Sequence, residues 1–276
     1  MMARTLRCCL YLAAILAASP AISLDLNNLN GLLGVAKGVA KSQEVASMSE
    51  SDEIAIGRDI AAASLGTYPL VRDAKVGRYL NRVGLWVALQ SSRPMLPWRF
   101  AAVESAQVNA FAVPGGTILI TSGMLGLINN EAELACVLGH EVGHVTRKHH
   151  LALLQKQLLL KAGTDALATQ TNLSETRKFV TAQGSELFAR ALDRDSERDA
   201  DSDGVLLAAR AGYDPAACHV FMQRMAAMKQ DSGALAGLYK THPRPSDRVS
   251  DVAAAIARLD GATPGSGEMP PLGYRK

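Results

Sequence analysis

The stretch AELACVLGHEVGHVTRKHH, residues 132–150, sets His140 and His144 four apart with Glu141 directly after the first. On an α-helix, residues i and i+4 leave one face with their Cβ atoms about 6 Å apart, so both imidazoles can aim a ring nitrogen at one ion. Glu141 lies about 100° round the helix from His140, too far to be the natural third ligand but well placed to reach a water beside the ion. The spacing therefore separates a ligand pair from a base. A helix over 131–148 is expected, with Glu131 and Glu133 near its positive end and Arg147 and Lys148 near its negative end. Its apolar stripe, Leu134, Leu138, Val142 and Val145, falls opposite the histidines. Gly143 costs about 1 kcal/mol against Ala in a helix, which makes sense if something must approach closely there. Cys136, one turn before His140, is read as packing, and His149 and His150 as solvated or capping.

A catalytic zinc keeps three protein ligands and one open position, so a third ligand must lie elsewhere. In SERDADSDG, residues 196–204, Glu197 and Asp201 again form an i, i+4 pair, with Ala200, Gly204 and Ala208 close to Glu197 on the helical wheel. Small residues on that face would let the two helices lie close together. One reading makes Glu197 the third ligand and Asp201 the acceptor that fixes a ligand histidine's tautomer. The competing reading is a charged, solvated surface, since Arg194, Asp195, Arg198 and Asp199 are neighbours.

The remaining pattern is helical with one interruption. A helix opens at about Ser51, and Asp73 caps another carrying Val76, Leu80, Val83 and Val87. WRFAAVES, VNAFAV and TILITS read as short strands, with Pro114-Gly115-Gly116 turning the last two into a hairpin, so a small antiparallel sheet is expected before the histidine helix. Leu151 to Lys161 reads as an apolar helix, buried or touching a membrane surface, followed by a polar connection at 163–185. Further helices are expected from about Gly184 to Ala211, after Pro215, and from Arg248 to Asp260. The expected organisation is a leader at 1–23, a lead-in segment at 24–50, one domain at 51–260 and a disordered tail at 261–276.

The leader reading rests on Arg4 and Arg7, an apolar run from Cys8 to Ala18 and small residues near Ala21 and Ser23. That run is shorter than the roughly 20 residues that span a bilayer. An uncleaved anchor is the alternative. Without the leader the net charge of +3 is nearly balanced and no basic run remains, which argues against a nucleic-acid partner. Cys136 and Cys218 then stay, equally compatible with a disulfide and with two buried thiols.

VNAFAVPGG, HEVGH, ERDADSDG with AGYDP, and THPRPSDR occur in the order seen in the M48 family of zinc metallopeptidases, and the chain resembles that family from about residue 51 to 260. The resemblance implies one zinc ion held by His140, His144 and Glu197, with Glu141 as general base. It also implies a minimal zincin fold of gluzincin type: α+β, mainly α, with a small sheet packed on the histidine helix. His242 in THPRP corresponds to a family histidine near the metal. It is a candidate oxyanion donor, or else an inhibitory fourth ligand. Asn109, Ala110 and Phe111 resemble the edge-strand residues with which zinc endopeptidases hold an extended substrate. Compact secreted members are linked to envelope protein quality control. The expectation is therefore a periplasmic or secreted zinc metalloendopeptidase acting on unfolded or misassembled envelope proteins, with peripheral membrane contact as an additional reading and no sequence signature of oligomeric state. The long membrane helices of the CAAX-processing branch and a tetratricopeptide pattern are absent from this sequence. A chaperone or assembly factor on the same fold, or a latent protease latched by His242 or by the 163–185 segment, are the alternatives.

Overall fold

The computed structural model describes residue 45 and residues 47–162, 192–228, 233–242 and 245–260. The leader, most of the lead-in segment, the 163–185 connection and the tail lie outside these residues. Helix α1 spans Glu50–Thr67 and α2 Ala74–Ala88. Strands β1 (Arg99–Val103), β2 (Ala110–Val113) and β3 (Thr117–Thr121) follow, then the one-turn α3 (Ser122–Leu125). Next come α4 (Glu131–Thr146), α5 (His149–Ala162), α6 (Arg194–Arg210), α7 (Ala216–Ala227), α8 (Ala236–Thr241) and α9 (Val249–Asp260). The chain is α+β and mainly helical.

Side-chain oxygens set the helix starts. Ser49, Asp73, Asn130 and Asp193 each accept from a backbone N–H in the first turn, so α1 begins two residues earlier than Ser51 would allow. Gly212, at φ 86°, ends α6 in the left-handed conformation that glycine adopts freely.

The sheet corrects the antiparallel expectation. β2 and β3 form the hairpin, but β1 pairs with β3 in parallel, giving the order β1-β3-β2 and a mixed sheet. The turn at Pro114–Gly116 dictates only the β2–β3 pairing. The chain after Val103 passes through residues 104–109 to reach the far edge, and the hairpin then returns β3 between its neighbours. Side chains alternate across the sheet. Phe100, Ala102, Ala110, Ala112, Ile118 and Ile120 join the main core, whereas Val103, Phe111 and Leu119 pack with Leu65 and Tyr68 on the other side. Along the outer edge of β1, the Asn81 amide of α2 donates to the Phe100 carbonyl and accepts from the Phe100 N–H.

Helix α1 lies over the hairpin turn, so close that a Cβ on Gly57 would sit 1.7 Å from the Pro114 carbonyl oxygen. The fully buried Glu53 carboxylate completes this junction, accepting from the Gly115 N–H and from Arg93 and pairing with Lys148 at 3.2 Å. Leu151 and Leu154 of α5 are buried with Ile56, Ile60 and Val113, so the α5 side chains described there serve a core.

Helix α4 is buried nearly all round, which corrects the expectation of a histidine face outside the packing. That face meets α6. A Cβ on Gly139 would be 3.1 Å from Gly204 Cα, one on Gly204 3.0 Å from His140 N, and one on Gly143 3.2 Å from Ala200 Cα. The small residues of both helices thus bring the two backbones together. Arg147 bridges the same pair through Asp199 and Asp203. Cys136 is a cross-link as well as a packing residue, for it is bonded to Cys218 and ties α4 to α7.

The disulfide closes a loop of 82 residues, and the chain-entropy model assigns such a link about 4 kcal/mol. Reduction, or the Cys136→Ser/Cys218→Ser double variant, is expected to lower the urea midpoint accordingly; an unchanged midpoint under reductant would show that the bond contributes nothing. A second prediction concerns Glu133, whose buried carboxyl is held below its usual range by the Arg224 guanidinium. A depressed carboxyl contributes stability above its unfolded pKa of about 4.3 and loses it as pH falls through the folded value. Glu133→Gln should therefore cost about 1 kcal/mol at neutral pH, and the deficit should close in acid; a deficit independent of pH would rule out the ion pair as its source.

Candidate metal centre and active site

His140 and His144 leave α4 one turn apart, and their Nε2 atoms lie 2.9 Å from each other. Glu197, from the first turn of α6, places Oε2 3.7 Å from His140 Nε2 and Oε1 3.5 Å from His144 Nε2. His242, immediately after α8, puts Nδ1 2.9 Å from Glu197 Oε1 and 3.5 Å from His140 Nε2. One donor atom from each of these four residues falls within 4.8 Å of the others, forming a buried metal-binding cluster.

The donor set and its spacing fit zinc. Bonds of about 2.0–2.1 Å in tetrahedral geometry put donors roughly 3.3 Å apart, and the separations among His140, His144 and Glu197, 2.9 to 3.7 Å, bracket that value. Three imidazoles and a carboxylate are also a ligand class that zinc accepts. Glu141 adds a further sign. It is 2 % exposed, and its Oε2 is buried without a hydrogen-bond partner among the described residues, so the site has unmet demand for a donor.

The surroundings tune the cluster. His140 Nδ1 lies 3.1 Å from Asp201 Oδ1, the placement expected of an acceptor for its N–H. Arg248, just ahead of α9, is buried against Asp201 and reaches Glu197 Oε2 at 3.0 Å. Its Nη2 is also 3.2 Å from His140 Nδ1; with His140 Nε2 turned to the donor cluster as a ligand, Nδ1 carries the proton and gives it to Asp201, so the guanidinium contact is no hydrogen bond. Burial alone would raise the Glu197 carboxyl, yet His242 and Arg248 hold it down to about 2. Burial likewise opposes ionisation of Asp201, and Arg248 keeps it well below the usual range. Burial raises the Glu141 carboxyl and pushes the His144 imidazole well below its ordinary value, favouring neutral forms of both.

Of the strand residues, Ala110 lines a half-open cleft shared with His140, Glu141 and His242 and walled by Val137, Phe221, Met222, Met225 and Leu238. Asn109 accepts a hydrogen bond from the Thr241 hydroxyl, next to His242. Phe111 turns to the opposite face of the sheet and stacks at a tilt on Tyr68, 6.0 Å away. His149 departs from the solvated or capping reading: it is buried, with Nδ1 2.8 Å from His144 Nδ1. His150 is half-buried, its ring 5.7 Å from that of His144. Sequence reasoning missed both, together with Arg248. Arg248 stands inside THPRPSDR, six residues after His242, and a cation there among three acidic candidates was the available signal.

The chain matches the model of peptidase family M48 over residues 74–256. It is 28% identical over 214 residues to the beta-barrel assembly-enhancing protease of Yersinia pestis, covering 75% of this chain and 44% of that protein. It is 24% identical over 250 residues to Metalloprotease YcaL of Escherichia coli (strain K12), covering 88% of this chain and 95% of that one. To the Mitochondrial metalloendopeptidase OMA1 of Arabidopsis thaliana it is 32% identical over 161 residues, covering 58% and 32%. It thus spans less than half the length of the beta-barrel assembly-enhancing protease. With the family match running from α2 into α9 and enclosing the whole donor cluster, the chain belongs to peptidase family M48.

Proposed function

We propose that the chain is a zinc-dependent metalloendopeptidase hydrolysing peptide bonds of unfolded or misassembled envelope proteins. The observation that carries this reading is the convergence of His140, His144, Glu197 and His242 beside Glu141, whose buried Oε2 has no partner among the described residues. A bound zinc ion supplies Lewis acidity to a water and to the scissile carbonyl. Glu141, its carboxyl raised by burial, takes a proton from a water lodged at Oε2 and returns it to the leaving amine. Asp201 orients His140, while Glu197 stays ionised and brings negative charge to the centre. Ala110 on the edge strand β2 offers backbone groups to an extended chain, Asn109 ties that strand to the His242 segment, and Phe111 anchors it from behind. The apolar wall of the cleft suits the side chains that unfolded proteins expose.

The envelope assignment draws on the similarity to the beta-barrel assembly-enhancing protease of Yersinia pestis, on the leader expected at 1–23 and on the Cys136–Cys218 disulfide, which suits an oxidising periplasmic or extracellular compartment. Among the described residues, no helix is long and apolar enough to cross a membrane.

A specific observation favours a latched resting form of the same enzyme. Four protein donors fill a tetrahedral zinc, and His242 is one of them, so it would have to withdraw before a substrate could enter. A binding-only assembly factor has no use for a buried, proton-accepting Glu141.

Elemental analysis and casein cleavage on purified full-length chain test these readings. Wild type is expected to carry one zinc and to cleave. Glu141→Gln should keep zinc and lose cleavage on the order of 10²–10⁴-fold, and Glu197→Ala should lose zinc. A wild-type chain that takes up no zinc would refute the metallopeptidase reading. His242→Ala separates its two roles: faster cleavage identifies a latch, and slower cleavage with zinc retained identifies a donor to the reacting carbonyl.

A further inference from the structure

We infer that His149 is the positioning residue of the metal site: its Nδ1 accepts the Nδ1–H of His144 and so presents His144 Nε2, lone pair outward, to the donor cluster. This rests on the proposed zinc site and assigns one of its supporting contacts. A neutral imidazole that ligates through one nitrogen carries its proton on the other, and that N–H needs an acceptor. For His140 the acceptor is Asp201. His144 is fully buried, and its Nδ1 faces not a carboxylate but His149 Nδ1, at 2.8 Å. One of these two nitrogens must donate and the other accept. His144 Nε2 faces His140 Nε2 and Glu197, and with a cation held in that cluster it must offer a lone pair, so the His144 proton belongs on Nδ1. His149 must then accept with its own Nδ1 and keep its proton on Nε2.

The backbone is bent to bring this about. On an unbroken helix, position i+5 lies about 140° round from His144, turned away from its ring. Helix α4 instead stops at Thr146, Lys148 takes φ 57°, and α5 starts at His149. A residue with a Cβ adopts that left-handed conformation at a cost of roughly 1–2 kcal/mol. Glycine would take it freely, but only a long cation reaches the Glu53 carboxylate that Lys148 meets at 3.2 Å. Leu151 and Leu154 then fix α5 in the apolar cluster beneath α1, so the first residue of α5 is held at both ends of the turn.

The test compares zinc affinity, by chelator competition, in full-length wild type, His149→Leu and His149→Gln, alongside urea midpoints and the ring ¹⁵N spectrum of zinc-loaded protein. Leu fills the space and accepts nothing, whereas the Gln carbonyl can take the His144 proton. His149→Leu is expected to bind zinc about 10–100-fold more weakly, His149→Gln to recover most of that loss, and the wild-type spectrum to show His144 protonated at Nδ1. Equal zinc affinity in a folded His149→Leu chain would overturn the inference while leaving the zinc site standing, whereas His144 protonated at Nε2 would overturn the inference and remove His144 Nε2 from the donor set. A wild type without zinc would overturn both. Should His149→Leu not fold, the wild-type spectrum decides: a coupling across the hydrogen bond from His144 Nδ1–H to His149 Nδ1 supports the inference, and its absence overturns it.

Discussion

Every feature of the site depends on how closely α4 and α6 approach. A Cβ on Gly139, Gly143 or Gly204 would press against the facing helix at 3.0–3.1 Å. The short carboxylate arm of Glu197 can therefore meet the rings of His140 and His144, which rise from the neighbouring helix. Larger side chains at these positions would push the two helices apart and separate these groups. The 16-residue α4 accepts two helix-weakening glycines because burial on nearly every face outweighs them.

Close packing forces charges out of water, and the chain answers with pairs. Asp201 and Glu197 are buried and ionised because Arg248 lies against both, and His242 leans on Glu197 from the other side. Removing one member of such a set strands the others in a medium of low dielectric constant, which costs far more than the set gains over apolar side chains. The arrangement is therefore better understood as fixing the orientation of His140 and Glu197 than as stabilising the fold. Glu141 stands apart. Its carboxyl is raised by burial and only partly countered by His242 and His140, a setting that suits a group meant to gain and lose a proton.

Another buried carboxylate, Glu53, does for the frame what Asp201 does for the site. It joins α1, the β2–β3 turn and the end of α4 through Gly115, Arg93 and Lys148. The edge strand and the histidine helix are thus held to a common post, and both line the cleft, through Ala110 and His140.

The sequence by itself determined the longer helices and the hairpin, and placed the candidate donors along them. Period and capping are local, so Asp73, the i, i+4 pairs at His140 and Glu197, and the glycines at the turn could be read directly. The close approach of α4 and α6 was also legible, because small residues on facing stripes leave one packing solution. What only the tertiary structure decided are the relations that no local rule encodes. The parallel β1–β3 pairing depends on which sheet edge the chain reaches after Val103, and the Cys136–Cys218 bond on two helices meeting across 82 residues. Arg248 reaches the site only because α9 folds back over α6. His149 reaches His144 only because Lys148 turns left where neither glycine nor proline announces a break. A long-range contact depends on where the rest of the chain goes, and the residues that make it carry no mark of their own until the fold brings them together.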